Sequence, residues 1–197
     1  MPEDAVCTAS SSVIEEVTGD LFDSPDNAVL IHACNCLGSW GAGIAKAFKT
    51  KYPAAYKVHH DYCKATSNES LIGTTQLITP QHEDYKKADS GLKKKHWIAC
   101  LFTSVGYGKP TKTRPGMDKP DAILENTRKS LKDLKTQLLK IEHEAEGEGV
   151  GSIPGELWSC KINSGLFAVD WADTRRVMEE ELKSLGRTVT VASPERS

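Results

Sequence analysis

"AVLIHACNCLGSWGAGIAKAFKTKYP", residues 28–53, decides the fold. Residues 28–35 form an apolar run, the pattern of a strand covered on both faces. Glycines follow at 38, 41 and 43. Ile44, Ala45, Ala47 and Phe48 then recur among Lys46 and Lys49 at helical spacing. That helix stops before Pro53, which sits in the first turn of a second helix over 54–65. A buried strand, a glycine turn and a helix, in that order, open an α/β unit. In such units ligands meet the loops at the carboxyl ends of the strands.

Outward from this stretch the same alternation continues. Five further runs read as strands: 13–20, 74–80, 96–104, 157–165 and 188–193. Residues 121–145 form a long amphipathic helix with Ile123, Leu124, Leu131, Leu134, Leu138 and Leu139 on one face. Another helix spans 170–186 and stops at Gly186. Residues 82–95 read as a charged surface loop, 105–120 as an irregular Gly/Pro-rich segment, and 146–156 as an acidic, glycine-rich loop. The pattern predicts a three-layer α/β/α sandwich around a mixed, mostly parallel sheet of about six strands. One domain over 12–197 follows a flexible, Ser-rich N-terminus, 1–11.

Bulk properties narrow the partners. With 25 basic and 27 acidic residues, the net charge of -2 gives no reason to expect nucleic acid or a membrane surface. No apolar run approaches the ~20 residues of a membrane span. The N-terminus lacks the basic start and apolar core of a signal peptide. Six scattered cysteines read as reduced thiols in an intracellular protein, cytoplasmic or nuclear. The reading expects a monomer acting on a small molecule, with no cofactor.

The glycine loop "GSWGAGIAK" (38–46) is either a close-packed turn or an anion site, because open amides and a helix dipole both favour negative charge. It fits neither the P-loop nor the dinucleotide fingerprint. "INSGLFAVDW" (162–171) repeats the theme: a strand end, a Ser164–Gly165 turn and a helix start, with Asp170 a candidate N-cap. Two such loops at one sheet edge suggest a diphosphate held between amides. His32 has a side chain suited to proton transfer near neutrality, although a lone histidine is more often structural. Asn35 is either a sugar ligand or a turn residue. Cys34 and Cys36 lack a second pair at zinc spacing, so a metal is not expected.

"VTGDLF" (17–22), the 28–53 stretch, "CLFTS" (100–104), "INSGLF" (162–167) and "TVTVAS" (188–193) together resemble the macrodomain, closest to the fungal ADP-ribose 1″-phosphate phosphatases. The likeness runs over about residues 13–192. It implies that Asp20 and Leu21 serve the adenine, and that Asn35 contacts the distal ribose. It implies that Gly41, Ala42, Gly43 and Ile44 hold one side of the diphosphate and Ser164, Gly165, Leu166 and Phe167 the other. His32 and Asn35 would carry catalysis on a substrate that arises in tRNA splicing, His32 as proton donor or as nucleophile. Two alternatives stay open. One is an ADP-ribose reader without turnover. The other is a glycohydrolase on ADP-ribosylated glutamate, whose lysine and aspartate positions hold Ser104 and Phe167 here, with Lys109 and Asp170 nearby.

Overall fold

The computed structural model describes residues 12–86, 94–148 and 153–195. The expected flexible N-terminus lies outside them. Six strands form one sheet in the order β1-β6-β5-β2-β4-β3. They are β1 (Ile14–Thr18), β2 (Val29–Asn35), β3 (Thr75–Ile78), β4 (Trp97–Ser104), β5 (Leu157–Ser159) and β6 (Val189–Ser193). Every pairing is parallel except β3 with β4. The carboxyl ends of β1, β2, β4, β5 and β6 therefore share one edge.

The strands bury both faces, and their alternation sorts the core in two. Leu30 and Cys34 of β2, with Ile98, Cys100 and Phe102 of β4, pack on Phe48 of α1 (Gly43–Lys51), on Ala55 and Cys63 of α2 (Pro53–Ala65) and on Leu71 of α3 (Asn68–Leu71). Val29 and Ile31, with Trp97, Ala99 and Leu101, pack on Leu131, Leu134 and Leu138 of α5 (Pro120–Glu148) and on Val177, Met178 and Leu182 of α6 (Trp171–Leu182). This is the expected three-layer sandwich. No helix among the described residues is long and apolar enough to cross a membrane.

Several boundaries differ from expectation. The start of the 82–95 segment is a short helix, α4 (His82–Lys86), because the Asp84 carboxylate turns inward and accepts from the Ala54 and Ala55 amides at the start of α2. Residues 87–93 lie outside the described ones. The helix α5 runs on to Glu148, into what read as a loop, and Leu139 is exposed. Strand β5 ends at Ser159, six residues short of expectation, and the chain then enters the second loop. A short 3-10 turn, Lys183–Leu185, follows α6 before Gly186 ends it in the left-handed region.

Candidate active site

The first loop is fastened from below. The buried Asn35 amide donates to Ser39 O (2.9 Å), and its Oδ1 accepts from the Leu37 and Ser39 amides. Cys36 N–H is shared between Ser104 O and Val105 O, which ties this loop to the one after β4. Gly38 has φ +66°, and a β-carbon there would meet Cys63 Cβ at 3.0 Å, so the turn needs glycine. Trp40 drives its indole into the core, 5.0 Å from the His59 ring and 5.8 Å from Phe48. Residues Gly41–Ile44 are left exposed above this anchor. Ala42 precedes α1 without a side-chain cap, so the first-turn amides stay open to an anion.

The second loop is pinned at one residue. Asn163 is buried with φ 64°; its Oδ1 accepts from Thr103 Oγ1 (3.1 Å), and its amide donates to Thr127 Oγ1 (2.9 Å). Its carbonyl accepts from Val169 N–H, which closes the loop. Ser164 Oγ donates to Lys161 O, Ala168 holds φ 52°, and Asp170 caps α6 by accepting from Ala172 N–H. Leu166 is 68% exposed, and its Cδ1 lies 3.6 Å from where a β-carbon on Gly43 would stand. The two loops thus face each other, and Phe167 is half-buried behind the second.

Asp20, exposed at the end of β1, accepts from Phe22 N–H (3.0 Å) and starts a 3-10 turn. Leu21 is part of the core beside it. His32 has no exposed surface. Its ring stacks on Phe48 (centroids 4.2 Å apart, 13° between planes) and meets Trp40 edge-on at 5.0 Å. It stands behind the first loop rather than on its outer face.

His32, Cys34 and Cys100 bring their ligand atoms within 4.8 Å of one another. Cys34 Sγ, however, is 3.5 Å from Nε2 and 3.6 Å from Nδ1, almost equally far from the two ring nitrogens. A metal on either nitrogen lies outward along its lone pair, and a sulfur ~2.3 Å from that metal sits about 5 Å from the other nitrogen. The cluster as placed is a thiol–imidazole contact. Burial pushes the Cys36 and Cys63 thiols up to about 12, so both stay protonated. The five described cysteines are free.

Sequence reasoning missed three supports: Trp40, Asn163 and Asp118. Asp118 accepts from Val105 N–H (2.7 Å), and its own amide donates to Ser104 Oγ. Only Asn163 carried a local signal, since asparagine before a Ser-Gly turn tolerates the left-handed region.

The profile of the Macro domain family matches residues 31–88. An ADP-ribose 1″-phosphate phosphatase of Aspergillus oryzae is 44% identical, covering 87% of this chain and 90% of its own. That of Aspergillus clavatus is 44% identical over 92% and 94% of the two chains, and that of Debaryomyces hansenii 40% over 85% and 93%. Among solved structures, the macrodomain of Mycobacterium tuberculosis DarG superposes with a TM-score of 0.64 at 20% identity, over 93% of this chain and 98% of that one. Thermosipho africanus DarTG in complex with ADP-ribose superposes at 0.60 and 21% identity, over 93% of this chain and 43% of that one.

Proposed function

The chain belongs to the macrodomain family, with the fungal ADP-ribose 1″-phosphate phosphatases, and from that premise we propose that it hydrolyses ADP-ribose 1″-phosphate to ADP-ribose and phosphate. The observation that carries the reading is the pair of facing loops, Gly41–Ile44 and Ser164–Phe167, in a chain 44% identical to those phosphatases over nearly its full length. Two sets of backbone amides around one cleft suit a diphosphate. In this reading Asp20 accepts from the adenine amino group, with Leu21 beneath it. Gly41, Ala42, Gly43 and Ile44 hold one phosphate, and Ser164, Gly165, Leu166 and Phe167 the other. The enzyme is a monomer, acts inside the cell and needs no cofactor.

Asn35 and His32 serve the distal end from behind the first loop. Asn35 holds the loop by three hydrogen bonds, and His32 fixes Phe48 and Trp40 beneath it. His32 has no exposed surface, so proton delivery from it needs a local opening of the packing over its ring, a step that belongs in kcat. The glycohydrolase alternative is weaker here, because the Asp170 carboxylate is spent on capping α6.

The test pairs phosphate release from ADP-ribose 1″-phosphate with calorimetric titration of ADP-ribose. Release together with binding is expected. Binding without release makes the protein a reader, and no binding defeats both.

A further inference from the structure

The turn after β1 begins with Asp20, the residue assigned to the adenine, and it is too short to hold itself. We propose that Lys94, just before β4, is a positioning residue for adenine recognition: it locks that turn and so aims the Asp20 carboxylate. This rests on the ADP-ribose reading above and adds what sets its preference for the base.

Residues Leu21–Asp23 make a single 3-10 turn. Its own backbone bonds run from Asp23 N–H to Asp20 O (3.0 Å) and from Ser24 N–H to Leu21 O (3.4 Å), the second a long one. At its start Asp20 Oδ1 accepts from Phe22 N–H (3.0 Å). That bond orients the carboxylate and leaves Oδ2 for an amino group. Asp20 is therefore aimed only as well as Phe22 N–H is placed. The Phe22 ring is held on the core side by Phe48 (5.0 Å) and Tyr52 (6.0 Å). The backbone of the turn is held from its far end.

Lys94 supplies that hold. Its ammonium donates to Asp23 O (2.6 Å) and Ser24 O (2.8 Å), where the turn ends. Its backbone is fixed by a ladder that extends β4 backward. Lys95 N–H donates to Asp26 Oδ1 (2.6 Å), Asn27 N–H to Lys95 O (2.6 Å) and Trp97 N–H to Ala28 O (2.9 Å). The buried His96 fills the space beneath. Its Nε2 faces Pro25 O (3.1 Å) and Ser24 Oγ (3.2 Å), and its Nδ1 meets Tyr52 Oη (2.6 Å). A carbonyl can only accept, so Nε2 carries the proton and Tyr52 donates to Nδ1. Two charge-assisted bonds are strong beside the two backbone bonds of so short a turn. Without the ammonium the turn frays, and Asp20 is aimed only part of the time. The adenine and the reacting phosphate are at opposite ends of the substrate, so the loss falls on binding rather than on chemistry.

The experiment compares two bases on the same protein. Wild type, Lys94→Met, Lys94→Arg, Asp20→Ala and the double variant Lys94→Met/Asp20→Ala are each titrated with ADP-ribose and with its hypoxanthine analogue, which carries a carbonyl oxygen in place of the amino group. Lys94→Met keeps the stem, removes the charge and touches no core side chain, so a melting temperature close to wild type is expected. It should lose about threefold to tenfold in affinity for ADP-ribose and less for the analogue, so that the preference for adenine falls. KM for ADP-ribose 1″-phosphate rises by the same factor while kcat is kept. Lys94→Arg, which also brings a cation to both carbonyls, restores most of the affinity. In the Asp20→Ala background Lys94→Met has no further effect, because the two residues act through one carboxylate. The inference is overturned if Lys94→Met keeps the wild-type base preference, if kcat falls with KM unchanged, or if the same loss appears in the absence of Asp20. A wild type that binds neither ligand overturns the ADP-ribose reading itself, and the inference with it.

Discussion

The two facing loops are held in place by opposite means. The first is anchored by bulk: Trp40 sinks between His32, Phe48, Tyr56 and His59, and the exposed glycines ride on it. The second has no such keel. It hangs from the Asn163 side chain, wedged between Thr103 and Thr127, and keeps Ala168 in the left-handed region at some cost in strain. An aromatic anchor makes the first loop rigid before a ligand arrives. A single polar pin with an exposed Leu166 leaves the second easier to shift, so induced fit is assigned to that side.

The sharpest way to break this contrast is to remove the keel. Trp40→Ala should cost about 3–5 kcal/mol of stability, as large aromatic deletions from a core do, and should weaken ADP-ribose binding as well. Urea unfolding reads the first and calorimetry the second. A loss under 1 kcal/mol would mean the loop does not depend on Trp40. Removing the pin should cost less. Asn163→Ala leaves Thr103 and Thr127 without their partner, for about 1–3 kcal/mol, and loosens only the second loop, which faster amide exchange over 164–168 would reveal.

Ala168→Gly runs the other way. Glycine accepts φ 52° without a β-carbon penalty, although it also loosens the unfolded chain. A net gain of about 1 kcal/mol or less is expected, with ADP-ribose affinity kept. A loss would show that Ala168 packs in a way its dihedral hides.

The smallest effect is in pH, and it falls on the side of the keel. Burial is the main cause that lowers the pKa of His59, which stacks under Trp40, and of His96, which meets Tyr52 Oη at 2.6 Å. Both stay neutral in the fold after the unfolded chain has begun to protonate near 6.5. The unfolded state then binds more protons, so stability falls as pH drops below that point and is unaffected above it. Denaturation midpoints from pH 7.5 to 5 should show the slope, and His59→Gln should reduce it. An unchanged slope in that variant would assign the dependence to other groups.

These differences explain what could be read from the chain. The β2–loop–α1 stretch is legible because its physics is local: an apolar strand, glycines where Gly38 must turn, and a helical repeat up to Pro53. Four parallel pairings follow from the alternation of such units. The supports of the site are not local. Asn163 meets Thr103 and Thr127, 60 and 36 residues away, and Asp118 meets Val105 across a folded-back loop. Trp40 gives no hint from spacing that its indole points inward. Asp84 turns a charged stretch into a helix cap by reaching back to Ala54 and Ala55. His32 is the instructive residue: its place beside the glycine loop is legible, but its burial under Phe48 and Trp40 comes from the packing of α1 on the sheet.

Phosphate release is the most direct measurement of the central claim. Purified protein is incubated with ADP-ribose 1″-phosphate, and inorganic phosphate and ADP-ribose are quantified together over time. Equimolar appearance of the two, with multiple turnovers, is the predicted result. Tight binding of the compound with no phosphate formed would contradict it.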